Sequence, residues 1–141
     1  MRLHWMSNQK VESSDSFMLH NNDHAIFQNL IVWQRAMELV EEVYRLTKFL
    51  PKEETYALSD QMRRAAVSIP SNIAEGAGRK TNLDFAHFLV IARGSRYELE
   101  TQILICIRLG FIKEEQAAKA FELCNEIGKM IAALLRNLKE E

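Results

Sequence analysis

The sequence predicts an all-α protein, an antiparallel up-down-up-down four-helix bundle, and three observations carry that prediction. Four long stretches repeat apolar residues at the three-four spacing of a single helix face. Helix-breaking residues fall between them at Leu50-Pro51, Gly76-Ala77-Gly78 and Gly110. No alternating strand pattern and no internal repeat competes with this reading. Four helices joined by three short turns bury their apolar stripes most economically against one another.

The elements follow in order. Residues 1–25 carry Ser13, Ser14, Ser16, Asn21, Asn22 and three of the four histidines without a sustained period. They read as a flexible leader or an added extension, with the bundle domain occupying 26–141. The first helix is expected over Asn29–Phe49, with Trp33, Ala36, Met37, Val40, Val43, Tyr44 and Thr47 inward and Glu38, Glu41, Glu42 and Arg45 outside. Leu50-Pro51 ends it, because a residue before proline is pushed out of the helical region. The second helix is expected from just after Pro51 to Ala77, with Leu58, Met62, Ala65, Ala66, Ile69 and Ile73 inward and Ser59 as a cap for a restart. Thr81-Asn82-Leu83-Asp84 resembles a capping box and opens the third helix, which runs to Leu109 before the Gly110 stop. Lys113-Glu114-Glu115 opens the fourth, with Ala117, Phe121, Cys124, Ile127, Ile131, Leu134 and Leu138 inward.

Two features of these helices need a further cause. Pro70 lies inside the second, where proline costs roughly 3 kcal/mol by deleting a backbone hydrogen bond and crowding the preceding turn. The third carries Phe88-Leu-Val-Ile-Ala92 and Ile103-Leu-Ile-Cys-Ile107, each apolar for five successive positions. Five successive residues sweep around the whole helix, so one neighbouring face does not bury them all. Either two other helices flank it inside the bundle, or part of it packs on a second subunit, which is the reading that leads to an expected homo-oligomer.

Composition narrows the function classes. Of 141 residues, 48% are hydrophobic and 26% charged, and the net charge is −1. No global field draws such a chain to nucleic acid or anionic lipid, so a polyanion site must be a local patch. The first 25 residues lack the apolar run of a signal peptide, and no stretch reaches the 18 or more apolar residues of a membrane span. Cys106 and Cys124 flank the Gly110 turn at heights differing by roughly 15 Å, too far apart for a disulfide. Reduced core thiols and a cytoplasmic location are expected.

Chemistry-bearing patterns are sparse. A carboxylate-bridged metal pair in a bundle needs two Glu-x-x-His pairs and two more glutamates. Here there is only Asp84-x-x-His87, read as a capping aspartate and a surface histidine. Neither cysteine has a histidine at helical spacing, and Ser68, Ser71 and Ser95 have none nearby in sequence. The expectation is therefore no enzyme activity, no catalytic residue, no metal, no cofactor and no small-molecule substrate.

Two constellations remain. Ser68, Asn72 and Glu75 share a stripe on the second helix, and Ser95 and Glu98 lie one turn apart on the third. Gly94, costing about 1 kcal/mol against alanine in mid-helix, suggests a close backbone approach there. The expectation is a structural polar network joining Ser68, Asn72, Glu75, Ser95 and Glu98 where these helices meet. Arg63, Arg64, Arg79, Lys80, Arg93 and Arg96 then give six basic residues against two acidic ones between Gln61 and Arg96. They are the candidate phosphate contacts, each adding salt dependence to binding.

Ser68-Ile-Pro-Ser-Asn-Ile-Ala-Glu-Gly76 with Gly78-Arg79, then Ala92-Arg-Gly-Ser95 and Glu98-Leu-Glu-Thr-Gln102, resembles the family of 23S rRNA intervening-sequence proteins. Leu30-Ile-Val-Trp-Gln34, Pro51-Lys-Glu-Glu54 and Gln61-Met-Arg-Arg-Ala-Ala66 fit the same pattern in the same order, so the resemblance spans residues 27–138. It implies an antiparallel four-helix bundle that assembles into homopentameric rings. Some relatives are encoded within insertions in bacterial ribosomal RNA genes. Others resemble accessory proteins of diversity-generating retroelements, which bind nucleic acid and a reverse transcriptase through basic surfaces. Those relatives are markedly basic, whereas this chain is net −1. The resemblance implies as partners the chain itself, and RNA or a nucleic-acid enzyme. The expected function is that of a non-enzymatic, homo-oligomeric, nucleic-acid-associated accessory, with a protein-interaction scaffold as the alternative.

Overall fold

The computed structural model describes residues 27–140 and contains four α-helices. They are α1 (Ile31–Thr47), α2 (Leu58–Ala77), α3 (Asn82–Arg108) and α4 (Glu114–Glu140). The expected leader, 1–25, lies outside the described residues. Antiparallel neighbours are fixed by pairs of contacts. On α2 and α3, Met62 meets Cys106 (3.4 Å between sulfurs), Ser68 meets Ser95, and Gly76 lies against Phe85 and Phe88. On α1 and α4, Arg35 reaches Glu126 while Arg45 reaches the Gln116 carbonyl oxygen. Each helix packs on its chain neighbours and α1 closes against α4, which is the up-down-up-down bundle.

The turns use local chemistry that the sequence displays. Thr81 caps α3, its hydroxyl oxygen accepting from the Asp84 backbone N–H at 3.1 Å. Gly110 ends α3 with φ +79°; its N–H donates to the Ile107 oxygen (3.0 Å), and the Phe111 N–H donates to the Cys106 oxygen (2.9 Å). That pair of bonds is a Schellman motif, and only glycine adopts the left-handed position without strain. Pro51 leads instead into a short 3₁₀ turn, Lys52–Glu54, so α2 begins at Leu58 and not directly after the proline. Ser59 is buried inside the first turn and is not the cap. The Glu54 carboxylate takes the Leu58 N–H at 3.3 Å in its place.

The largest departure from expectation is the phase of α1. Its buried face is Val32, Ala36, Leu39, Glu42, Val43 and Leu46. Only Ala36 and Val43 belong to the expected inward stripe. Trp33 and Val40 pack partly against the core, while Met37 and Tyr44 are exposed. The cause is Glu42, which marks the outside in any polarity pattern yet is buried here. Arg45 reaches across it, and that hydrogen bond raises the Arg45 guanidinium above its ordinary value. α1 therefore bears two apolar stripes, one facing the core and one facing out beside α2.

Pro70 is buried and α2 continues through it. Next to the missing N–H, Ser71 donates to the Val67 oxygen and Asn72 to the Ser68 oxygen, both at 2.8 Å. Side chains thus hydrogen-bond two carbonyls of the turn that proline disturbs.

Candidate functional site

The polar seam between α2 and α3 is built on Ser68. Its hydroxyl shares a 2.8 Å hydrogen bond with that of Ser95, and Asn72 Nδ2 donates to it at 2.9 Å. Asn72 and Ser95 therefore meet through one hydroxyl, half-buried and satisfied. Glu75 lies outside this group, exposed and paired with Arg79 at 2.8 Å. Glu98 also lies outside, accepting from Gln102 Nε2 at 3.3 Å. Gln102 is buried, and its Oε1 has no hydrogen-bond partner among the described residues. A closed three-residue knot that fixes helix register is what this geometry provides.

The close approach expected at Gly94 occurs elsewhere. A Cβ at Gly94 meets nothing within 4 Å. One at Gly76 would lie 2.8 Å from both Phe85 Cδ1 and Phe88 Cβ, so that glycine lets α2 touch α3. One at Gly128 would lie 2.7 Å from the Arg96 Cζ, so that glycine seats a guanidinium on α4. Neither role follows from the α2–α3 sequence stripes, because each depends on the partner helix.

The six basic candidates divide accordingly. Arg96 is a structural cation: its side chain is 13% exposed, and its Nη1 donates to Glu100 (3.0 Å) and to the Cys124 oxygen (3.3 Å). Its guanidinium also lies 4.6 Å from the Tyr97 ring centroid. Buried between α3 and α4, it is out of reach of a phosphate backbone. Arg63 donates to the Thr55 oxygen at 3.1 Å and lies over Tyr44. Arg64 is exposed and paired with Asp60 at 3.0 Å. Arg79 pairs with Glu75 and covers Phe88 at 4.9 Å. Lys80 is exposed beside it, and Arg93 is half-buried on α3. Exposed ion pairs of this kind contribute roughly 0–1 kcal/mol, so an incoming phosphate exchanges for the carboxylate at little cost.

Arg63 and Arg64 also line an open groove of about 410 Å³ with Tyr44, Asp60, Val67 and Ser68. Across the molecule, the outer side of α3 carries Leu83 (81% exposed), Val90, Tyr97 (54%) and Leu104 (53%). These recur every seven residues, a heptad-spaced stripe opposite the buried face of Phe85, Leu89, Ala92, Leu99 and Ile103. Gly94 sits in the middle of that stripe.

Among the described residues there is no group of three or more metal-ligating side chains, and no helix is long and apolar enough to cross a membrane. Asp84 and His87 stand exposed at the start of α3. Cys106 and Cys124 are buried and unpaired. Burial, with a smaller push from Glu54, raises the Cys106 thiol to about 11; burial, with Glu100 adding, raises Cys124 to about 12. Thiols held so far above neutrality are poor nucleophiles.

A search of curated proteins gives no match. A crystal structure from Bacteroides thetaiotaomicron VPI-5482, of a protein with unknown function from the S23 ribosomal protein family, is similar to this chain at 28% identity. The alignment covers 74% of this chain and 97% of that one, with a TM-score of 0.68. Residues 28–133 match the family described as 23S rRNA-intervening sequence protein. That span takes in the Ser68 knot, the α3 stripe and every basic candidate, and the chain belongs to the 23S rRNA-intervening sequence protein family.

Proposed function

We propose that this chain is a non-enzymatic, self-associating bundle that serves in the cytoplasm as a nucleic-acid-associated accessory. The observation that carries the reading is the outer stripe of α3. Four large apolar side chains at heptad spacing, left open to solvent opposite the helix's buried face, are a surface for protein contact. A homo-oligomer, with a pentamer as the expected size, multiplies each weak basic contact by the number of subunits. Arg63, Arg64, Arg79, Lys80 and Arg93 are the phosphate candidates, and the family's ribosomal RNA setting supports RNA as the polyanion.

The test is a filter-binding titration of the purified protein against structured RNA at two salt concentrations. Wild type binds with a salt-dependent affinity, and reversing the neighbouring pair (Arg79→Glu with Lys80→Glu) lowers the slope of log K against log salt by about one to two. No RNA binding in wild type overturns this part of the reading. The second reading is a protein-interaction scaffold without nucleic acid. It is favoured by one specific observation: Arg64, Arg79 and Arg96 already hold carboxylates.

A further inference from the structure

The outward stripe of α1 forms an apolar track beside α2. Trp33, Met37, Val40 and Tyr44 follow one another at steps of four and three, which is one face of the helix. Met37 and Tyr44 are exposed, and so is Val67 on α2, which lines one open groove with Tyr44. Two cations stand at the Tyr44 end of this track. Arg63 lies over the Tyr44 ring, and Arg64 is held only by an exposed pair with Asp60.

The chain itself enters the track at its other end. Phe27, the first described residue, packs edge-on against Trp33, with ring centroids 5.4 Å apart. Two hydrogen bonds pin that entry: the Leu30 N–H donates to the Phe27 oxygen (3.1 Å), and Gln34 Nε2 to the Gln28 oxygen (2.8 Å). An aromatic ring of the incoming segment thus already sits on the first residue of the stripe. Upstream of Phe27 the sequence holds a matching set in matching order. Phe17-Met18-Leu19 are three successive large apolar residues, and Glu12 and Asp15 precede them. Trp33 to Tyr44 is about 16 Å of helix, and the eight residues from Leu19 to Phe27 reach up to about 26 Å. Phe17-Met18-Leu19 therefore reaches Met37, Tyr44 and Val67 without stretching. Glu12 and Asp15, beyond them, arrive at Arg63 and Arg64.

We infer that residues 12–19 form a strap on their own bundle. Phe17-Met18-Leu19 seats in the α1–α2 track, and Glu12 and Asp15 pair with Arg63 and Arg64. The strap covers an apolar surface that the four helices leave open, and it gives both arginines acids of the same chain. Its consequence for binding rests on the RNA reading above, whereas the seat does not: acids on Arg63 and Arg64 compete with phosphates for these two side chains. Arg79 and Lys80, at the other end of α2, stay open to a polyanion throughout.

A disulfide tests the seat in the full-length protein. Met18→Cys with Val67→Cys, given oxidised glutathione to take up the two electrons and two protons, is expected to close within one chain at a rate unchanged by dilution. Cys106 and Cys124 are buried, with thiols at about 11 and 12, and do not compete. Met18→Cys with Leu104→Cys, on the outer side of α3, is expected to close at least about tenfold more slowly, because the strap keeps Met18 from that side. Val67 and Leu104 are both exposed, so these variants keep the helical circular dichroism of wild type. Adding Phe17→Glu to the Val67 pair is expected to remove that advantage. Equal rates for the two pairs, a Val67 rate indifferent to Phe17→Glu, or a disulfide formed only between chains overturns the strap. Glu12→Gln with Asp15→Asn, which frees Arg63 and Arg64, is expected to raise RNA affinity and to steepen the salt slope by about one to two. Unchanged binding there, with the disulfide still fast, overturns the competition with phosphate. A wild type that binds no RNA overturns the RNA reading, and the disulfide rates still decide the seat.

Discussion

Gly76 and Gly94 are glycines in helical stretches of one chain, and they sit in opposite circumstances. Gly76 is buried, with Phe85 and Phe88 closer than any Cβ tolerates; Gly94 faces open space. The same contrast divides α3 lengthwise. Its inner face (Phe85, Leu89, Ala92, Leu99, Ile103, Cys106) is fully buried, while its outer face repeats Leu83, Val90, Tyr97 and Leu104 in solvent. The inner face is finished by the subunit's own packing. The outer face sets these large apolar side chains among exposed polar ones, with nothing in the subunit to cover them, and it is the surface proposed above for protein contact.

The contrast breaks most visibly at the thiols. Cys106 on the inner face of α3, with its thiol at about 11, and Cys124 on α4, at about 12, are well above the ordinary value of about 8.5. At neutral pH their thiolate fractions fall by more than about a hundredfold, and burial blocks access besides. A disulfide-exchange reagent is expected to label neither cysteine in native protein and both in denaturant, at rates differing by at least that factor. The sign of the stability effect follows. Between about pH 8.5 and 11 the unfolded chain has released thiol protons that the folded chain keeps, so stability declines as pH rises through that window. Fast labelling of either native thiol means the inner face opens, and the inner and outer faces of α3 then differ less in burial than their packing implies.

Gly76→Ala comes next in size. The added methyl group would meet Phe85 Cδ1 and Phe88 Cβ at 2.8 Å and the Phe85 carbonyl oxygen at 3.2 Å. Backbone and Cβ atoms do not swing aside, so α2 and α3 must separate. Overpacking of this kind costs typically 1–3 kcal/mol, measured as a shift of the urea midpoint with an unchanged slope. A neutral result would show that the end of α2 is looser than its burial suggests.

Much of this fold is legible in the sequence, and its misreadings share a cause. Four helices, the Thr81 cap and the Gly110 stop are local signals, each set by residues within one or two turns. The phase of α1 is not. It carries two apolar stripes at helical spacing, and the tie is broken by Glu42, a carboxylate hidden by its Arg45 partner. Arg96 fails as a phosphate candidate for a related reason. A basic residue on α3 reads as surface until Gly128, thirty-two positions further along, opens a seat for it on α4. The Ser68–Asn72–Ser95 knot is half legible: the stripe puts Ser68 and Asn72 on one side of α2, while the pairing with Ser95 depends on how α3 packs and the exclusion of Glu75 on Arg79 one turn on. Pairings between elements, and not the elements themselves, are where one sequence stops short.

Gly94→Ala is the smallest of these effects and separates the two glycines most sharply, because it reverses the sign. With no neighbour within 4 Å, an added methyl group obstructs nothing inside the subunit. Alanine in an exposed helix interior is favoured over glycine by about 1 kcal/mol. In dilute protein, where copies are apart, Gly94→Ala is expected to raise the urea midpoint by about that free energy divided by the slope, while Gly76→Ala lowers it. If copies associate through the α3 stripe as proposed, at high concentration the added methyl group meets the incoming surface, and the gain shrinks or reverses. A gain that holds at every concentration would mean that no backbone comes close to Gly94, and that the outer stripe seats its partner only through its large side chains.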